Sequence, residues 1–135
     1  MGVLIDTSVL IASERGKISL ATLLATRREE DCFISAITAS ELLHGVHRSS
    51  DTAVRTRRSV LVDLVLDSLP ILPVDLSIAR VHAQLWAELA QRGTPIGTHD
   101  LWLAASAVTH GLPIATLNVR EFERVPGLKV EKWVL

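Results

Sequence analysis

The sequence predicts an α/β domain with three layers, α/β/α, built on a central, mainly parallel sheet. Short apolar runs of strand length recur between longer helical stretches, and the runs are continuously apolar instead of alternating. Strands of that kind need cover on both faces, which places helices above and below the sheet. At 135 residues the chain has the size of one such domain, residues 1–135, with no repeat, linker or low-complexity tract.

The elements follow in order. Val3-Leu4-Ile5 is a buried strand ended by Asp6-Thr7-Ser8, residue types that cap a helix. A short helix is expected over residues 9–14, broken by Gly16 and Lys17, then a second over 18–28 that ends in a charged turn at 27–31. Cys32-Phe33-Ile34 reads as the next strand. Residues 37–47 carry a helical stripe of Ala39, Leu42, Leu43 and Val46, and a long helix over 51–66 is closed by Pro70. Ile71-Leu72 is the third strand, followed by helices over 77–91 and 98–110, stopped by Gly93 and Gly111. A fourth strand at 113–116, a turn at 120–122 and a terminal strand at 128–130 complete the chain.

Composition narrows the function. With 48% hydrophobic and 21% charged residues the chain is an ordered globule. The aromatic share is 4% and there is no Tyr, which excludes an aromatic base-stacking platform. A net charge of -1 gives no general attraction for a polyanion, so any nucleic-acid contact needs local charge or a metal. The single Cys32 excludes an internal disulfide and a cysteine zinc cage. The apolar start lacks a preceding basic segment, and no stretch has the length of a membrane span, so the expected compartment is the cytoplasm.

In parallel α/β sheets, ligands bind beyond the carboxyl ends of the strands. Asp6 stands there, although Asp before a helix is also a preferred N-cap, and Ser8 could serve as cap or hold the carboxylate. Glu41 points away from its helix's apolar stripe, which by periodicity alone makes it solvent-facing. Asp100 aligns with Ala104, Ala107 and Val108 on a nearly all-apolar helix, where it either complements the helix N-terminus beside a capping Thr98 or serves a site. His99 beside it is a further ligand candidate.

Three carboxylates on separate elements suit a hard divalent cation, Mg²⁺ or Mn²⁺. Zinc is disfavoured, because the five His show no HExxH or similar spacing. No GxGxxG, GxxxxGK[ST] or GxSxG is present. Arg48, Arg55, Arg57 and Arg58 face only Asp51 in their stretch; this is a solvated helix face or a track for a phosphate backbone.

Four segments, in order and spacing, resemble a known family: residues 5–11 (Ile-Asp-Thr-Ser-Val-Leu-Ile), 38–45 (Thr-Ala-Ser-Glu-Leu-Leu-His-Gly), 100–105 (Asp-Leu-Trp-Leu-Ala-Ala) and 115–122 (Ala-Thr-Leu-Asn-Val-Arg-Glu-Phe). Together they are similar to PIN-domain ribonucleases of the VapC toxin type, over essentially the whole chain. The resemblance implies a PIN-like fold and a Mg²⁺- or Mn²⁺-dependent endoribonuclease, the toxin of a toxin–antitoxin pair. It also implies a homodimer bound by a VapB-type antitoxin. Carried over by position, it makes Asp6, Glu41 and Asp100 the catalytic, metal-holding acids, with Thr116 and Ser8 as nearby hydroxyls. Where the family commonly has a fourth acid, this chain has Asn118; Glu121, one turn on, is the candidate substitute, and a weaker second metal site is expected. Two rival readings are a PIN-like partner-binding module with a degenerate site, favoured by Asn118, and a receiver-like phosphoacceptor domain. The second wants an acid ending the third strand and a Lys ending a late one, which the chain lacks.

Overall fold

The computed structural model describes residues 2–16, 19–26 and 31–133. Five strands form one sheet: β1 (Gly2–Ile5), β2 (Asp31–Ser35), β3 (Ile71–Leu72), β4 (Ile114–Thr116) and β5 (Val130–Lys132). Their order is β3-β2-β1-β4-β5 and every pairing is parallel. The chain steps outward from β1 through β2 to β3, then returns to the other side of β1 for β4 and β5. The order therefore reverses at β1 and β4, where a crevice opens beyond the strand ends.

Alternation along the strands assigns the two faces. Leu4 and Ile114 turn to the face covered by α5 (Leu76–Gln91) and α6 (Thr98–His110), packing with Ile78, Leu85, Leu89 and Leu103. Val3, Ile5, Ile34 and Ala115 turn to the opposite face. There they meet α1 (Thr7–Glu14), α2 (Leu20–Thr26), α3 (Ala36–His47) and α4 (Thr52–Ser68) through Val9, Leu10, Leu24, Leu42 and Val65. A short α7 (Val119–Phe122) follows β4 and buries Phe122. The α/β/α layering expected from the sequence is present.

Several boundaries differ from the sequence reading. The first helix begins at Thr7, because the backbone of Asp6 already provides the extended N-cap conformation. The fourth runs to Ser68, two residues beyond 66. The last strand lies at 130–132 instead of 128–130, since its register sets Val130 opposite Ile114 and Gly127 takes φ 79° in the preceding turn. Residues 18 and 27–30 of the expected second helix and charged turn lie outside the described residues. The helix stop at Gly111 holds, with φ 65° and ψ 29° in the left-handed region that glycine tolerates.

Candidate active site

Asp6 sits at the switch point and is 3% exposed. It is the N-cap of α1 by backbone, yet its side chain makes no cap hydrogen bond. Instead Oδ2 accepts from Ser8 Oγ at 2.6 Å and from Thr116 Oγ1 at 2.7 Å. Ser8 Oγ in turn accepts from the Leu117 N–H, and Thr116 Oγ1 from the Asn118 N–H. The end of β1 and the end of β4 are thus joined through one carboxylate. A capping role for the Asp6 side chain is excluded by this geometry.

Glu41 corrects the sequence reading. Its side chain is 27% exposed and turns toward α1, where Thr7 Oγ1 donates to Oε1 at 2.8 Å. Thr7 Oγ1 also lies 3.0 Å from the buried Thr38 Oγ1. His99 Nδ1 stands 3.5 Å from the other oxygen, Oε2. The reading as solvent-facing failed because Leu43, counted in the apolar stripe, is itself exposed, and α3 packs with Thr38, Leu42 and Val46 inward.

Asp100 lies in the first turn of α6, but the N-cap is Gly97 and not Thr98, and glycine has no side chain to cap with. Glu121 reaches the N-cap residue itself from α7: its Oε1 accepts the Gly97 N–H at 2.6 Å and its Oε2 accepts from Asn118 Nδ2 at 2.8 Å. A side chain at residue 97 would meet ordinary contacts here. A Cβ built on it would lie 3.4 Å from Glu121 Oε1 and 3.5 Å from Asp100 Oδ2.

The four acids feel one another. Partial burial pushes the Asp100 carboxyl up to about 7, with added repulsion from Asp6, Glu121 and Glu41 and a hydrogen bond shared with Glu121. Glu121 moves the other way and is held below its ordinary value, first by the Gly97 N–H and then by Asn118. A proton shared by the pair therefore sits on Asp100 in preference to Glu121. Among the described residues no group of three or more His, Cys, Asp and Glu side chains is arranged to hold a metal ion as it stands. The donor set nonetheless suits a hard cation: carboxylate oxygens, accumulated negative charge that costs energy unneutralised, and hydroxyls that orient the acids.

The basic stretch divides. Arg58 is committed to Glu14 at 2.5 Å and Ser49 at 2.8 Å, so it is a structural tie between α4 and α1. Arg48, Arg55 and Arg57 are exposed. A groove of about 500 Å³ runs between α1, α2, α3 and α4, with Glu41 and Arg48 at its wall and Leu10, Leu24, Leu61 and Val65 along it.

A parallel sheet with acids gathered where the strand order reverses defines a class of α/β proteins to which PIN domains belong. The PIN domain family profile matches residues 3–128. The chain is 38% identical over 130 residues to "Ribonuclease VapC" of Rickettsia bellii, covering 96% of this chain and 95% of that one. It is 39% identical over 100 residues to the "tRNA(fMet)-specific endonuclease VapC" of Salmonella typhimurium, covering 74% of each. The fold superposes with a TM-score of 0.89 on the DNA-bound VapBC structure from Salmonella typhimurium, at 32% identity and 99% coverage of both chains. The chain belongs to the PIN domain family, within its VapC ribonuclease branch.

The structure brings Asp6, Ser8, Glu41, Asp100, Thr116, Asn118 and Glu121 to one mouth. Sequence reasoning missed Thr7 and Gly97. Thr7 sits in the Asp-Thr-Ser run that drew attention to Asp6, so a signal existed. Gly97 had none, because its role depends on a carboxylate 24 positions away.

Proposed function

We propose that this protein is a metal-dependent endoribonuclease that acts as the toxin of a toxin–antitoxin pair in the cytoplasm. One observation carries the reading: four carboxylates gather beyond the sheet, and burial, with repulsion from the other three added to it, pushes the Asp100 carboxyl up to about 7. Such a cluster is destabilised by its own charge unless a cation neutralises it.

Asp6, Glu41 and Asp100 would hold Mg²⁺ or Mn²⁺, and Glu121 supplies the fourth carboxylate that Asn118 does not. When bound, the cation supplies Lewis acidity toward a scissile phosphate and offsets charge on the leaving oxygen. The chain's own groups do the orienting. Ser8 and Thr116 fix the Asp6 carboxylate, Thr7 fixes Glu41, and Glu121 fixes the start of α6 and with it Asp100. Arg48, Arg55 and Arg57 are the exposed cations available to an RNA backbone.

Similar solved structures are toxin–antitoxin complexes, which supports a VapB-type antitoxin as partner. Val60, Leu61 and Leu64, exposed on α4 beside the groove, offer the apolar surface such a partner needs. A homodimer belongs to the same reading, with Leu76 and Trp86 exposed on α5. No helix among the described residues is long and apolar enough to cross a membrane. Asn118 favours the alternative of a partner-binding module without activity, and Glu121 counts against it.

The test is incubation of the purified protein with initiator transfer RNA and with total RNA, in Mn²⁺ or in EDTA, followed by mapping of the ends. Cleavage in Mn²⁺ and none in EDTA is expected. Intact RNA under both conditions would overturn the reading in favour of the module.

A further inference from the structure

We propose that Arg124 is a positioning residue for the acidic mouth: together with Glu121 it clamps the segment that leads into α6 and so sets where Asp100 stands relative to Asp6. The inference rests on the endoribonuclease reading above and adds to it the part that holds two of its acids in register. Arg124 lies just beyond α7, and its Nη1 donates to the Pro95 carbonyl oxygen at 3.1 Å. Glu121, within α7, accepts the Gly97 N–H at 2.6 Å. Two side chains from one turn therefore grip one short stretch, residues 95–97, immediately before the helix that carries Asp100.

The grip falls where the backbone has least of its own to hold it. Pro95 has no N–H to donate, and Gly97 has no side chain with which to cap α6. The arms of the clamp are fixed at their other end. Phe122 is fully buried and Val125 is 4% exposed, so the turn that bears Glu121 and Arg124 is pinned to the core. The same stretch of chain holds the other acid, because Thr116, at the end of β4, donates to Asp6 Oδ2 at 2.7 Å. Residues 116–124 thus form one bracket that touches Asp6 at one end and the entry to α6 at the other. Arg124 also brings a positive charge to Glu121, whose own charge repels the neighbouring Asp100. A cation held by acids from separate elements binds only as tightly as their spacing is kept. An exposed arginine beside a nuclease mouth has a second use, contact with an RNA phosphate. The hydrogen bond to Pro95 favours the clamp, and the two uses separate in the experiment.

The experiment compares wild type, Arg124→Met and Arg124→Lys. It measures Mn²⁺ affinity by calorimetry without RNA, kcat and KM on one RNA oligonucleotide at a fixed Mn²⁺ concentration below saturation, and the metal-free thermal midpoint. Arg124→Met, which keeps the length of the stem and removes donor and charge, is expected to bind Mn²⁺ about tenfold more weakly, the effect of one charge-assisted hydrogen bond. It should lose a similar factor in kcat, with KM for RNA unchanged and the thermal midpoint within a few degrees of wild type. Arg124→Lys, which keeps a donor and the charge, should recover most of both losses. Unchanged Mn²⁺ affinity with a raised KM would make Arg124 a phosphate contact and overturn the proposal. A loss of Mn²⁺ affinity that accompanies a marked fall in the thermal midpoint would also overturn it, since that is a role in the fold alone. A wild type that binds no Mn²⁺ and leaves the RNA intact would instead overturn the endoribonuclease reading.

Discussion

At the scale of single residues, the site works by hydroxyls holding acids. Each of the two innermost carboxylates has its orientation fixed by short side chains at the start of α1: Asp6 by Ser8, Glu41 by Thr7. Thr7 lies at the head of α1 and reaches across to α3, so one residue couples two walls of the mouth. Replacing it by Val keeps the volume and removes the donor. Thr7→Val is expected to slow RNA cleavage about tenfold, the worth of one positioning hydrogen bond, with the midpoint of thermal unfolding within a few degrees of wild type. Steady-state kinetics on one RNA substrate checks this, and an unchanged rate would show that Glu41 needs no such support. Asp6 was legible from sequence because a strand end in a parallel sheet is a privileged position. Glu41 was not, because its neighbours' periodicity pointed it to solvent and only the long-range contact with Thr7 brings it inward.

At the scale of elements, β1 and β4 carry the architecture and α6 carries Asp100. Continuous apolar runs made the strands legible, and Gly111 marked the end of α6 as the sequence suggested. The start of α6 at Thr98 was read correctly, but its cap was not: the N-cap is Gly97, whose N–H is held by Glu121 from a different element. Local sequence has no means of announcing a contact made by a residue 24 positions away. Gly111 itself offers a clean test of element energetics. Its φ is 65° and a Cβ there would meet nothing within 4 Å, so any cost of a side chain is conformational. Gly111→Ala is expected to destabilise the fold by about 1 kcal/mol, lowering the thermal midpoint by roughly 3–6 °C, with cleavage per folded molecule unchanged. Calorimetry alongside an activity assay measures both.

At the scale of the whole molecule, a net charge of -1 hides a local concentration of four acids. The cost is borne by the fold. Asp100 is raised in the folded protein to about 7 from an ordinary 3.8, so the folded state binds a proton that the unfolded state has released. Stability of the metal-free protein therefore falls as pH rises from about 4 through about 7, and the full penalty persists above. Because Asp100 is only partly buried, solvent screening reduces that penalty to about 1–2 kcal/mol. Asp100→Asn is expected to raise the metal-free thermal midpoint at pH 8 by roughly 3–6 °C and to have little effect at pH 4. Mn²⁺ is expected to stabilise the wild type more than this variant. Equal midpoints at pH 8 would mean that the acids do not strain the fold. The layering and the charge clustering lie at opposite ends of legibility: alternating strands and helices declare the first, whereas the second arises only when elements as distant as residues 6 and 121 are folded together.

The central claim is that this acidic mouth, anchored on Asp6, cuts RNA with a divalent cation. The most direct measurement is single-turnover cleavage of one RNA oligonucleotide in Mn²⁺ by wild type and by Asp6→Asn, which keeps the size and the acceptor for Ser8 and Thr116 while removing the charge. The account predicts a loss of about a thousandfold or more in the variant, with thermal unfolding like that of the wild type. A folded Asp6→Asn protein that cuts at the wild-type rate would contradict it.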